Sequence, residues 1–137
     1  MDGIPIVPVD QSGTFANGLA RVAKAKGLPI AKRFTAKSNV ISAPTKAQYG
    51  EPVDFAIFAD TIGKIDTLAK KNPGKTFLLP PLGLEPGNKA TQQEIDSRVV
   101  IIKSLLDANP NIKLVIPNST NPALTAHLDT LRTIFEC

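Results

Sequence analysis

The residues of this 137-residue chain that could touch a ligand fall in loops that follow short apolar runs. Asp10-Gln11-Ser12-Gly13-Thr14 follows the run Ile4 to Val9, and Pro44-Thr45-Lys46 follows Val40 to Ala43. Pro80 to Lys89 follows Thr76 to Leu79, and Pro117-Asn118-Ser119-Thr120-Asn121 follows Lys113 to Ile116. If the runs are strands that feed helices, their exposed backbone N–H groups gather at one rim, where open α/β sheets bind anions. Lys46 and Lys89 supply charge there, and Ser119 and Thr120 supply hydroxyls. Gly83 and Gly87 let a ligand come close to the backbone. Asp10, Ser12, Gly13, Thr45, Lys46, Gly83, Gly87, Asn118, Ser119 and Thr120 therefore form the candidate ligand set. The competing reading is that these are ordinary turn and cap residues, because Gly, Pro, Asn and Ser populate turns for reasons of backbone geometry alone.

Catalytic groups are scarcer. His127 stands between Ala126 and Leu128 with no serine or cysteine motif arranged to pair with it, so a half-buried packing or surface role is expected. Asp54, Asp60, Asp66, Glu94, Asp96 and Asp107 fall on predicted helices as caps or on solvated faces. Asp10 differs by lying at a strand's end, where it could orient a hydroxyl or act as a base; capping of the following turn is the favoured reading. Neither a glycine-lysine phosphate loop nor a spaced dinucleotide glycine fingerprint occurs. The sole cysteine, Cys137, can form no internal disulfide and no Cys-based metal site. No catalytic residue, metal or cofactor is expected, and a non-enzymatic role is favoured.

The elements that would position the rim are legible from periodicity and start signals. Asp54 caps a predicted helix with Phe55, Phe58, Ile62, Ile65 and Ala69 on one stripe, with Val53 and Phe58 spaced as a hydrophobic staple. Thr91-Gln92-Gln93-Glu94 reads as a capping box before the stripe Ile95, Val99, Ile102, Leu106. Asn121-Pro122 opens a third helix through Leu124, Leu128, Leu131 and Phe135. A weaker helix from Thr14 or Asn17 to Lys26 is expected to turn Leu19, Val22 and Ala23 inward and to close at Gly27. Pro5 and Pro8 each remove a ladder donor, which predicts an edge or bulged first strand. Leu28 to Asn39 reads as a hairpin or an irregular basic loop. The alternation of strands and helices predicts one domain over residues 1–137, a three-layer α/β/α sandwich with a mainly parallel or mixed sheet.

Composition excludes several classes. Hydrophobic residues at 42% against 20% charged are enough to drive a single core, so disorder is not expected. No run approaches the length of a membrane span, and no secretion signal opens the chain, so an intracellular or virion location is expected. The net charge of +4 concentrates in Arg21, Lys24, Lys26, Lys32, Arg33, Lys37 and Lys46. Such a face can meet nucleic acid, nucleotide phosphates or an acidic protein. Aromatic residues do not interleave with it as a base-stacking platform requires, so nucleic acid is not the expected partner.

Gly18-Leu19-Ala20-Arg21-Val22-Ala23, then Ile41-Ser42-Ala43-Pro44-Thr45-Lys46, the Asp54 helix, and Thr76-Phe77-Leu78-Leu79-Pro80-Pro81-Leu82-Gly83-Leu84 together resemble small macro-like proteins of bacteria and their phages. The resemblance covers roughly Asp10 to Gly87 and implies a macro-like α/β/α fold with a crevice for ADP-ribose or a related nucleotide. The chain departs from that pattern where Asp10 to Asn17 replaces a run of glycines, and where Glu85-Pro86 follows Gly83; degenerate ligand loops are the expectation. The expected function is accordingly a non-catalytic macro-like module acting through protein contacts or self-assembly, concretely a phage virion subunit. The alternative is an ADP-ribose or nucleotide-binding or nucleotide-processing protein that uses the rim loops.

Overall fold

The computed structural model describes residues 3–15, 18–37, 39–48, 50–84, 90–116 and 121–136. In chain order the elements are β1 (Ile4–Asp10), α1 (Gly18–Ala25), β2 (Thr35–Lys37), β3 (Val40–Lys46), α2 (Phe55–Lys71), β4 (Phe77–Leu79), α3 (Gln92–Ala108), β5 (Ile112–Leu114) and α4 (Pro122–Glu136). The strands form one sheet in the order β2-β3-β1-β4-β5. β1 runs parallel to both β3 and β4, and β4 runs parallel to β5. β2 pairs antiparallel with β3 as a hairpin, so the sheet is mixed. Asn39 in the hairpin turn has left-handed backbone (φ +66), a conformation asparagine tolerates.

Two apolar clusters cover the two faces of the sheet. Along β1 and β3, Ile6, Ile41 and Ala43 join the larger cluster, and Val7, Val9 and Val40 join the smaller one. Alternating side chains make these opposite faces. Phe58, Ile62, Ile65 and Ala69 of α2, Val99, Ile102 and Leu105 of α3 and Leu131 of α4 complete the larger cluster, and Ala20 and Ala23 of α1 the smaller. The α/β sandwich expected from sequence is thus present.

The helix boundaries follow local chemistry. Asp54 caps α2, its Oδ1 accepting the Ile57 N–H at 3.1 Å, and Val53 and Phe58 are both buried in the larger cluster. Thr91 and Glu94 form the reciprocal capping box of α3. Beyond α1, Gly27 (φ +75) donates to Lys24 O and Leu28 to Ala23 O, the paired bonds of a left-handed helix stop.

Three expectations need correction. α1 is rotated: Leu19 and Val22 are 44% and 49% exposed, and Ala20 and Ala23 face the sheet. Phe15, Leu28 and Ile30 pack around that floor, leaving room over it only for alanines. Phe55, placed on the α2 stripe, is 60% exposed because the staple from Val53 to Phe58 fills the interior below it. Most consequentially, β1 is the central strand, not an edge; its ladder with β3 does shift register, between Val9 and Asp10, with the extra residue on β3. It tolerates two prolines because its ladders are staggered. β4 pairs only with Ile4 and Pro5, whereas β3 pairs with Ile6 to Asp10. Successive N–H groups along a strand point to opposite neighbours. Ile4 N–H reaches Thr76 O beside β4, and Gln11 N–H reaches Lys46 O on β3. Pro5 therefore lacks a donor on the β3 side before that ladder starts, and Pro8 on the β4 side after that ladder has ended.

Candidate functional site

The strand order fixes where a ligand crevice would open. From β1 the chain continues to β3 on one side, and from β4 it continues to β5 on the other. Connections diverge between β1 and β4, and in open α/β sheets such a divergence leaves a crevice beyond the strands' C-terminal ends. The loop after β1 and the turn after β4 flank it.

The β1 loop is folded around Asp10, which is only 8% exposed. Asp10 Oδ1 accepts the Ser12 N–H at 3.0 Å, the Thr14 N–H at 3.4 Å and the Ser12 hydroxyl. Gly13 (φ +74) donates to Asp10 O at 3.2 Å, and the Ser12 and Thr14 hydroxyls pair at 2.9 Å. Asp10 thus caps its own loop, the reading favoured from sequence. Its second oxygen, Oδ2, has no partner among the described residues. Phe15 leaves the loop with left-handed backbone (φ +49), and its ring centre lies 5.8 Å from the Lys24 ammonium.

Beside it, β3 carries an extra residue. Val9 pairs with Pro44 but Asp10 pairs with Lys46, so Thr45 forms a bulge. Thr45 is buried, its carbonyl accepting the Asp54 N–H at 2.9 Å, and the buried Thr61 hydroxyl donates to Pro44 O at 2.6 Å. The end of β3 is thereby tied to the start of α2, and Lys46 remains half-buried at the rim.

On the other flank, Pro81-Leu82-Gly83-Leu84 makes a tight turn closed by Leu84 N–H to Pro81 O at 3.0 Å. Its third position requires positive φ, and Gly83 supplies φ +75. Leu82 and Leu84 point into the core. Arg98 Nη1 donates to Gly83 O at 3.0 Å, and His127 Nε2 lies 2.6 Å from Leu84 O. A carbonyl only accepts, so Nε2 carries the proton. Arg98 Nη2 also reaches Glu94 Oε2 at 3.3 Å. Hydrogen bonds from the Thr91 backbone, then from its hydroxyl, hold the Glu94 carboxyl below the usual carboxylate range. Gly83 is buried, and its N–H has no partner among the described residues.

Of the candidate ligand residues, Asp10, Ser12, Gly13, Thr45, Lys46 and Gly83 stand at the C-terminal ends of adjacent strands β3, β1 and β4. Gly87, Asn118, Ser119 and Thr120 lie outside the described residues. Sequence reasoning missed Arg98, the one buried cation among the described residues. Its signal was present: it sits four residues after Glu94 and three after Ile95, on the flank of the apolar stripe. Among the described residues no three His, Cys, Asp or Glu side chains converge on a metal position, and no helix is long and apolar enough to cross a membrane. Two recesses formed by described residues lie elsewhere. One of about 470 Å³ is lined by Arg21, Val22, Ala25 and Lys26, and one of about 290 Å³ adjoins Ile4, Lys37, Val40 and Phe77 at the opposite end of the sheet.

The sheet order and covering helices define a macro-like α/β sandwich, the fold of macrodomains. The macrodomain of Mycobacterium tuberculosis DarG matches with a TM-score of 0.62 at 17% identity, over 87% of this chain and 91% of that one. Thermosipho africanus DarTG in complex with ADP-ribose matches with a TM-score of 0.59 at 15% identity, over 97% of this chain and 42% of that one. At these identities the likeness is one of fold. No protein-family model and no curated protein matches the chain.

Proposed function

We propose that this chain is a binding module for ADP-ribose or a related nucleotide, held between the β1 loop and the β4 turn. The divergence of connections between β1 and β4 carries the reading, because it opens a crevice at the end of the sheet where Asp10, Lys46 and Gly83 stand. The likeness in fold to a protein solved with ADP-ribose supports the same ligand class. Lys46 adds positive charge to the rim, the Gly83 N–H is a donor without an acceptor among the described residues, and Asp10 Oδ2 can accept from a hydroxyl or amine. Thermal unfolding with ADP-ribose, ADP, AMP and ribose 5-phosphate tests the reading. A ligand present at 100 times its Kd should stabilise the fold by about 2.7 kcal/mol. A flat melting profile across that panel would end it.

A second reading, contact with a protein partner or a second copy, is supported by the exposed Leu19 and Val22 beside Arg21 and Lys24 on α1. The comparisons bear on nucleotide binding and not on a virion role. Sizing at micromolar concentration should give a defined oligomer that Leu19→Ser with Val22→Ser dissolves. A monomer at all concentrations, with no partner recovered on purification, would count against it.

A further inference from the structure

Three helices converge on one four-residue turn, and the turn's own folding does not explain why. Pro81 to Leu84 closes through its own backbone bond, and Leu82 and Leu84 anchor it in the core. Even so, α3 sends Arg98 to Gly83 O, α4 sends His127 to Leu84 O, and the Phe58 ring of α2 stands where a Cβ on Gly83 would lie, 3.1 Å from its Cε2. Taking a guanidinium out of water is expensive, and its burial here is offset by only one carbonyl and a distant carboxylate at 3.3 Å. An aliphatic side chain at position 98 would complete the Ile95, Val99, Ile102 face without that penalty.

What the two donors do accomplish is geometric. Each peptide group is planar, with C=O and N–H pointing in opposite directions. Holding Gly83 O and Leu84 O fixes the two peptide planes that follow Gly83, and Pro80 O holds the Leu82 N–H before it, so the Leu82–Gly83 peptide that carries the Gly83 N–H is confined from both ends. With Leu84 N–H engaged by Pro81 O, the turn is left with one unengaged donor among the described residues, the Gly83 N–H. We propose that Arg98 and His127 are positioning residues: they touch no ligand, and by fixing the end of the β4 turn they restrict the adjoining Leu82–Gly83 peptide to an orientation in which Gly83 N–H meets an anionic oxygen. The inference rests on the nucleotide-binding reading. It goes further by assigning part of the affinity of the rim to two side chains that approach the turn from α3 and α4.

The test is ADP-ribose titration by calorimetry of the full chain, its Arg98→Met, Arg98→Lys, His127→Ala and His127→Gln variants, and the Arg98→Lys, His127→Ala double variant, with amide hydrogen exchange at Leu84 measured ligand-free. Loss of a charged donor to a buried carbonyl should weaken binding about tenfold or more in Arg98→Met. His127→Ala should weaken it severalfold, and His127→Gln, which keeps a donor, should recover most of that loss. The double variant should lose less than the two single losses combined, because both residues act on one turn. Exchange at Leu84, whose N–H is held by Pro81 O, should quicken about tenfold in Arg98→Met. A structural role alone would lower the melting temperature and leave the Kd of the folded protein within about a factor of two, which overturns the proposal. Should Arg98→Met fail to fold, Arg98→Lys and the His127 pair carry the same comparison. If the wild-type chain binds no ADP-ribose, the functional reading falls, and unchanged exchange in the variants would then overturn the clamp on its own.

Discussion

Gly83→Ala, set against Gly27→Ala, isolates the packing that holds the β4 turn. Both glycines have φ +75, so both substitutions incur the same backbone penalty, about 1–2 kcal/mol for a Cβ in left-handed conformation. Both also recover about 0.4–1 kcal/mol from the stiffer unfolded chain. Nothing lies within 4 Å of a Cβ built on Gly27, so Gly27→Ala should cost about 0.5–1 kcal/mol in all. A Cβ on Gly83 would stand 3.1 Å and 3.3 Å from two atoms of the Phe58 ring and 3.6 Å from Arg98 Cδ. Phe58 is 0% exposed, with Leu82 and Leu84 in the same cluster, so the ring has nowhere to go without moving the core. Overpacking of that kind adds about 1–3 kcal/mol. Gly83→Ala should therefore destabilise by about 1.5–4 kcal/mol, a large share of the roughly 5–15 kcal/mol that holds a domain folded. Urea unfolding followed by circular dichroism measures both changes, and equal m-values would show that the denatured state is unaltered. Two substitutions within about 0.5 kcal/mol of each other would refute the reasoning, because the ring would then be yielding and the turn would not be wedged.

Two further outcomes follow from single groups. The Thr35 hydroxyl on β2 is buried with no hydrogen-bond partner, so Thr35→Val should leave stability unchanged or raise it by up to about 1 kcal/mol, and a loss of more than about 1 kcal/mol in urea unfolding would contradict that. Glu94 has its folded pKa depressed, chiefly by the Thr91 backbone N–H, so its ionised form contributes stability fully above the ordinary glutamate range, and that contribution disappears as pH falls through the lowered folded value. The stability gap between wild type and Glu94→Gln should accordingly narrow from pH 7 to pH 3, and a gap that widens on acidification would show the sign to be wrong.

What could be read in the sequence was whatever a few consecutive residues decide. Asp54, Thr91 with Glu94, and Gly27 satisfy backbone groups within a turn of themselves, so the helix ends they mark need no tertiary context. The Asp10 cap was legible for the same reason. The centrality of β1 was not, because its prolines are tolerated through a stagger between two neighbours, and a stagger belongs to the sheet and not to any strand. α1 could not be phased either: with Leu19, Ala20, Val22 and Ala23 all apolar, the face that turns inward is chosen by the space above Val7, Val9 and Val40. β2 is too short to show a period. Arg98 escaped because a Glu94–Arg98 pair at helical spacing looks like any solvated pair until the turn that buries it is in place.

The two flanks of the proposed crevice treat an anion differently, and the difference bears on how a nucleotide would lie. In the β1 loop the N–H groups of Gln11, Ser12, Gly13 and Thr14 all have acceptors within the protein, at Lys46 O, Asp10 Oδ1, Asp10 O and Asp10 Oδ1. A phosphate there would have to displace a carboxylate tethered to the same loop, and it would meet the negative Asp10 Oδ2 as well. The β4 turn presents the opposite case, one buried N–H with its neighbouring carbonyls already held and a buried cation behind it. On the proposed reading the phosphates therefore belong on the β4 side and the hydroxyl- and amine-bearing end on the β1 side. The replacement of glycines by Asp10 to Asn17, which would close a pyrophosphate site in the first loop, is then compatible with binding, because on that reading the loop meets the uncharged end of the ligand.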